Sequence, residues 1–76
     1  MILTDFIKNF SSLFDETDAN VFQADTNFKK LDEWSSLLAL SVIAMIDEEY
    51  GVTIKGKDIR EAEIIEDLFN AVKKLK

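Results

Sequence analysis

The side chains of this sequence that could do chemistry are hydroxyls and carboxylates, because the chain contains no cysteine and no histidine. The commonest nucleophile, general base and zinc ligands are therefore missing. Any thiol chemistry would need a group supplied from outside the chain. Paired carboxylates can serve acid–base catalysis, but the apolar spacing of this chain predicts three main amphipathic helices, and three such helices in 76 residues imply no cleft that would hold a substrate. We therefore expect the protein not to be an enzyme.

Two adjacent serines, Ser35 and Ser36, precede a long apolar segment that closes with an acidic run. Either hydroxyl can cap a helix by accepting a hydrogen bond from a backbone N–H. Gly51 can adopt the left-handed conformation that ends a helix, so a helix is predicted between the serines and this glycine. Residues 47–49 are all acidic and would lie in its last turn, where the helix dipole disfavours carboxylates. A local preference broken without a structural gain indicates function.

The predicted helix carries apolar residues on two of its faces. One line has the spacing of a core-facing stripe and consists of Ala39, Val42, Ile43, Ile46 and Tyr50. A second line lies elsewhere on the cylinder and consists of Leu37, Leu40 and Ala44. One core cannot easily bury both lines. The second line therefore either contacts a partner or packs under the loop that precedes the helix.

The rest of the apolar pattern predicts three more helices. We expect an amphipathic helix over roughly residues 2–14, capped by Thr4 or a neighbour, and a short helix over residues 57–61 after an extended segment, 52–54. A last helix should contain Ile64, Ile65, Leu68, Phe69, Val72 and Leu75. Residues 15–34 form a long loop with a short helical turn. Its expected anchors are Val21, Phe22, Phe28, Leu31 and Trp34. The sequence thus predicts an all-α fold, a small four-helix bundle of three main helices and one short helix, in one domain over residues 1–76.

Charge and hydropathy limit the partners of this chain. Fifteen acidic and nine basic residues give a net charge of −6 at pH 7. This charge disfavours nucleic acid and anionic membranes, and it favours basic patches on other proteins. No apolar run approaches the roughly 18 residues of a membrane span, and the first residues lack the basic region of a secretory signal. We expect a monomeric cytoplasmic protein with protein partners, no membrane span and no bound nucleic acid.

The order of the elements and three short motifs resemble the acyl carrier protein family over nearly the whole chain. Members of that family carry an Asp-Ser-Leu motif whose serine receives 4′-phosphopantetheine, and residues 35–37, Ser-Ser-Leu, lie at the corresponding place. Residues 47–54, Asp-Glu-Glu-Tyr-Gly-Val-Thr-Ile, resemble the end of the family's second helix. Residues 65–68, Ile-Glu-Asp-Leu, resemble the start of its last helix. The resemblance makes Ser36 the match to the modified serine.

This resemblance implies a discrete carrier protein with 4′-phosphopantetheine, donated by coenzyme A, on Ser36. A phosphopantetheinyl transferase (holo-carrier synthase) would attach the group, and acyl-loading and acyl-transferring enzymes with basic docking surfaces would use it. A phosphodiester at a helix N-terminus faces unpaired N–H groups, so attachment there does not strain the fold. The implied partner-binding residues are Ser35, Leu37, Leu38, Leu40, Ser41, Ala44, Asp47 and Glu48. In the family the apolar interior can shelter an acyl chain; here it would be lined by Phe28, Val42, Ile46, Ile54, Ile59 and Leu68.

Three positions depart from the family's pattern. The usual aspartate before the modified serine is Ser35 here, the common acidic residue two positions after that serine is Leu38, and a usual glutamate further along is Ser41. The first half of the helix is thus nearly uncharged, so generic fatty acid synthesis enzymes should be steered to it more weakly. This favours a specialised lipid, polyketide or surface-polymer pathway. Two alternatives stay open, an unmodified carrier-like adaptor or regulatory module and an aminoacyl or peptidyl carrier protein.

Overall fold

The computed structural model describes all residues, 1–76, and contains four α-helices and no strand. The helices are α1 (Leu3–Ser11), α2 (Ser36–Tyr50), α3 (Gly56–Glu61) and α4 (Ile65–Leu75). Two single turns of 3₁₀ helix, Ala19–Val21 and Phe28–Lys30, lie in the connection between α1 and α2. The prediction of a small all-α bundle with three main helices, one short helix and a long first loop is confirmed. None of the four helices has the length and apolar character needed to cross a membrane.

The core is one cluster of sixteen buried residues, all of them apolar. It contains all six phenylalanines of the chain. Phe10 of α1 lies among three of them, with ring centroids 5.5 Å from Phe14, 6.1 Å from Phe22 and 5.4 Å from Phe28. The pairs with Phe22 and Phe28 are edge-to-face, and such pairs add to the free energy gained by burial alone. The core therefore joins α1 to the long loop through aromatic rings.

The core-facing side of α2 agrees with the predicted stripe. Val42 and Ile46 are fully buried, and Ala39, Ile43 and Tyr50 are partly buried against the core. The six residues expected to line the interior are all buried: Phe28, Val42, Ile46, Ile54, Ile59 and Leu68. The helical period of the sequence therefore identifies the correct side of α2.

The first helix is shorter than the predicted span of residues 2–14, and of the predicted cap positions, Thr4 or a neighbour, the neighbour Ile2 is the one observed. Ile2 is the N-cap and makes no side-chain hydrogen bond to the helix. At the other end, the hydroxyls of Ser11 and Ser12 donate to backbone carbonyls three residues back. Such local hydrogen bonds compete with continuation of the helix. The chain proceeds in a tight turn that still brings Phe14 into the core, so the apolar spacing outlasts the helix.

The long loop is held by most of its predicted anchors. Phe22 and Phe28 are buried, and Leu31 and Trp34 pack against the core. Val21 is 43% exposed, so its predicted role as an anchor is wrong. Val21 and Phe22 are consecutive, and the larger ring takes the buried position because it removes more apolar surface from water. Two short helical turns are present where one was expected.

The same loop also caps α4. The carbonyl oxygen of Ala24 accepts a hydrogen bond from the Glu66 N–H at 3.0 Å, and that of Thr26 accepts one from the Ile65 N–H at 3.2 Å. These are two of the first N–H groups of α4, which have no partner within the helix. The loop backbone and the last helix are therefore directly coupled.

Gly51 ends α2 in the left-handed conformation, with φ 66° and ψ 26°. We expect Gly51→Ala to lower the free energy of unfolding by about 1 kcal/mol, because a Cβ is strained in this conformation. No atom lies within 4 Å of the place that a Cβ would occupy, so the cost is conformational and not a clash. Gly51→Asn is the matched control and should cost less, since asparagine tolerates this conformation better. Denaturant titration measures both, and an unchanged midpoint for Gly51→Ala would contradict the expectation.

Candidate functional site

The start of α2 gives its two serines different roles. Ser35 is the N-cap in extended conformation, and its Oγ accepts a hydrogen bond from the Leu38 N–H at 3.3 Å. Ser36 is the first residue of the helix and is exposed. The capping role that the sequence left open between them falls on Ser35. The hydroxyl that is not committed to the cap is that of Ser36.

The second apolar line of α2 lies on the surface. Leu37 is 75% exposed, Leu40 is 63% exposed and Ala44 is also exposed. The expectation that the core leaves this line unburied is confirmed, and the alternative that it packs under the loop is wrong. We call these three residues the apolar face of α2. Single exposed leucines are ordinary in proteins, but Leu37, Leu40 and Ala44 follow one another on the same side of the helix and form an exposed apolar line.

Two further predicted partner residues are less accessible than the apolar face. Leu38 is partly buried and packs against the core. Ser41 is partly buried, and its hydroxyl donates to the Leu37 carbonyl oxygen at 3.2 Å. Both therefore offer less accessible surface to a partner than the apolar face does.

The acidic residues at the end of α2 are exposed, and no basic residue lies in that turn. At 100° per residue, Asp47 and Glu48 fall within about 100° of the apolar face around the helix axis. Glu49 projects to the side, outside that arc. Ser36 and Asp47 lie about 16 Å apart along the axis at 1.5 Å per residue. The structure thus places Ser36, the apolar face and two carboxylates along one exposed side of α2.

The segment that leads into α2 is held by Glu33. Its carboxylate accepts hydrogen bonds from the Asp15 N–H at 2.8 Å, the Glu16 N–H at 3.0 Å and the Thr17 hydroxyl at 2.8 Å. We call this set of three hydrogen bonds the Glu33 latch. No pattern in the sequence points to Glu33, because its partners lie 16 to 18 residues away in the chain and no periodicity links them.

The latch changes the acidity of the carboxyl group that forms it. Partial desolvation raises the pKa of Glu33, but the hydrogen bonds from the Asp15 N–H, the Thr17 hydroxyl and the Glu16 N–H together outweigh it. The pKa of Glu33 therefore lies below its ordinary value of 4.5. Because the folded-state pKa is the lower one, the latch stabilises the fold above pH 4.5, and this contribution is lost as the pH falls through the lowered pKa.

Trp34 holds the same segment from the core side. Its ring stacks on Phe14 with centroids 6.4 Å apart and an interplanar angle of 21°. It also forms an edge-to-face pair with Phe28, with ring centroids 5.0 Å apart and an interplanar angle of 71°. The predicted role of Trp34 as an anchor of the loop is confirmed.

Comparison of the chain with protein families, with curated proteins and with solved structures finds no match. The class that the structure itself defines is a small all-α bundle with an exposed serine at the start of its longest helix.

Proposed function

We propose that the protein is a carrier protein whose Ser36 accepts 4′-phosphopantetheine from coenzyme A. The observation that carries this proposal is the exposed Ser36 on the first turn of α2, next to a Ser35 that takes the capping role. In the transfer, the Ser36 Oγ–P bond forms as the pyrophosphate bond of coenzyme A breaks. The hydroxyl proton is lost and adenosine 3′,5′-bisphosphate leaves. The new phosphodiester faces the free N–H groups of the first turn and the positive end of the helix dipole.

The attached group supplies the thiol that the chain lacks, since the sequence has no cysteine. Acyl intermediates are carried on it as thioesters between a loading enzyme and a transferring enzyme. The protein itself catalyses no step. The resemblance of residues 35–37 and 47–54 to the acyl carrier protein family supports this choice of group over other modifications of a serine.

The partner enzymes meet the exposed side of α2. The apolar face offers contact area, and Asp47 and Glu48 offer charge to a basic patch on the partner. The first turn of α2, which contains Ser36, has no acidic residue. Electrostatic attraction of partner enzymes towards Ser36 is therefore weak. This favours dedicated enzymes of a specialised lipid, polyketide or surface-polymer pathway in the cytoplasm over the general enzymes of fatty acid synthesis.

A second candidate function is an adaptor or regulatory module that is never modified. The observation that favours it is Ser35, which stands where the resemblance calls for aspartate. The group carried on the thiol is a separate question, because an aminoacyl or peptidyl carrier protein would be modified on Ser36 in the same way.

The intact mass of the protein tests the proposal. The purified chain is incubated with coenzyme A and a phosphopantetheinyl transferase of broad specificity. We expect the mass of one phosphopantetheine group to be added. No mass increase with several such transferases would overturn the carrier function and leave the adaptor.

Reversing the charges at the end of α2 should raise the stability of the protein and slow the transfer of its acyl group to partner enzymes. Changing Asp47 and Glu48 to lysine should raise the free energy of unfolding by a few tenths of a kcal/mol at low salt, because cations suit the C-terminal end of a helix. The same change should slow transfer to partner enzymes, most visibly at low ionic strength. Transfer kinetics and denaturant titration across a salt series measure the two effects.

Glu49→Lys is the matched control for this change. It lies in the same turn and should gain stability by the same cause, but it projects away from the apolar face. Transfer should therefore be unchanged in this variant. If Asp47 and Glu48 can be reversed without any loss of transfer, they are an ordinary solvated helix end.

A further inference from the structure

We infer that Glu33 is a positioning residue of the Ser36 site and that it acts through the Glu33 latch. The inference rests on the proposed function of Ser36 and adds to it the element that fixes how the serine is presented. Glu33 touches no substrate in this scheme. Its effect reaches Ser36 through the two residues between them.

The latch fixes the chain immediately before α2. Only Trp34 and Ser35 separate Glu33 from Ser36. Three hydrogen bonds tie its carboxylate to three consecutive residues at the start of the long loop. Hydrogen bonds to a charged acceptor are stronger than neutral ones. The entry of the chain into α2 is therefore defined by a contact that spans the whole loop.

Glu33 and Trp34 hold this entry from opposite sides. The Trp34 ring lies against Phe14 and Phe28 on the side of the core, while the Glu33 carboxylate meets the loop backbone at the surface. Loss of either contact frees the chain to change direction before the Ser35 cap. The transferase requires the Ser36 hydroxyl in line with the phosphate that it attacks, and small errors of placement cost a large part of such a rate.

The surroundings of Glu33 explain why hydrogen bonds, and not an ion pair, hold it in place. The groove beside it is lined by the carboxylates of Glu16, Asp18 and Asp32, and no lysine or arginine lines it. Asp15, which donates its N–H to the latch, adds a fourth exposed carboxylate. No basic side chain in this groove balances the charge on Glu33, so the donated N–H and O–H groups hold the carboxylate there. Removing the donors or the acceptor should therefore release the segment.

The test compares Glu33→Gln and Thr17→Val with the parent at neutral pH. In Glu33→Gln the side chain keeps its size and one acceptor oxygen, but an NH2 group replaces the other oxygen and faces a donor of the latch. Thr17→Val keeps its shape but removes the hydroxyl donor. Asp32→Asn is the matched control, since it makes the same charge change one residue earlier at an exposed position outside the latch.

Two measurements are made on each variant. The first is kcat/KM for transfer of phosphopantetheine from coenzyme A, and the second is the fluorescence of Trp34, the only tryptophan of the chain. For Glu33→Gln we expect kcat/KM to fall about tenfold, with a shifted Trp34 emission and an unchanged helical circular dichroism spectrum. Thr17→Val should lose less, and adding it to Glu33→Gln should lose little more, because both changes break the same contact. Asp32→Asn should match the parent in both measurements.

An acid titration of Trp34 fluorescence separates Glu33 from the four carboxylates around it. The parent should show a transition below pH 4.5 that Glu33→Gln lacks and Asp32→Asn retains. Equal kcat/KM in the parent and a folded Glu33→Gln would overturn this inference and leave the carrier function standing. A parent that accepts no phosphopantetheine from any transferase would overturn both.

Discussion

Replacing Ser36 with alanine is expected to abolish the phosphopantetheine mass increase completely, whereas replacing Ser35 with alanine is expected to retain it. The reason is that, of the two serines at the start of α2, only Ser36 has an exposed hydroxyl that does not cap the helix. Ser35→Ala removes the hydrogen bond to the Leu38 N–H and should cost about 1 kcal/mol of stability instead. Intact mass spectrometry after incubation with coenzyme A and a transferase measures the first effect, and denaturant titration measures the second.

The two serine variants serve as controls for each other. Each removes one hydroxyl, and each leaves the other in place one residue away. Modification of Ser36→Ala together with its loss in Ser35→Ala would place the attachment site on Ser35 and contradict the assignment. If neither variant is modified because Ser35→Ala does not fold, Ser35→Asp distinguishes the two causes. Aspartate restores the helix cap and should restore modification.

Replacing Ile46 with alanine is expected to cost about 2–5 kcal/mol of stability, because the change removes apolar contacts and leaves a cavity in the core. Ile46 is fully buried on the core side of α2. Leu37→Ala removes a side chain that is 75% exposed on the opposite side of the same helix. It should change stability by a few tenths of a kcal/mol and should instead slow transfer by partner enzymes.

Denaturant titration of the two variants gives the comparison directly. Both changes are made in the same helix and both shorten an aliphatic side chain to alanine, so their effects on helix propensity are small and similar. Equal destabilisation by the two would mean that the apolar face is packing surface and not a contact surface. Unimpaired transfer by Leu37→Ala would remove the leucine from the partner interface.

The helices and the two faces of α2 could be predicted from the sequence because a single period governs them. Val42 and Ile46 recur at helical spacing with Ala39 and Ile43, and burial follows that period without reference to the rest of the chain. Gly51 was predictable for a similar reason, since its left-handed conformation is a local property of the residue. Helical periodicity and the preferences of single residues were sufficient wherever one helix or one residue determines the structure.

The errors arose where two local preferences compete or where distant segments meet. Ser11 and Ser12 end α1 early, although the apolar spacing continues to Phe14. Val21 is displaced to the surface by its larger neighbour in a loop without a period. The Glu33 latch joins segments that no pattern connects, so its position in the site could be found only from the folded chain.

Because both ends of α2 are capped, the helix holds Ser36 and Asp47 at a fixed separation. Ser35 closes one end and Gly51 the other, so the roughly 16 Å between Ser36 and Asp47 does not change with the state of the loop. Under the proposed carrier function, an enzyme that binds Asp47 and Glu48 with a basic patch and acts on the Ser36 hydroxyl needs its active site at a matching distance from that patch. Under the same proposal, the distance between the basic patch and the active site distinguishes two partner enzymes even when their charges and apolar contacts are alike.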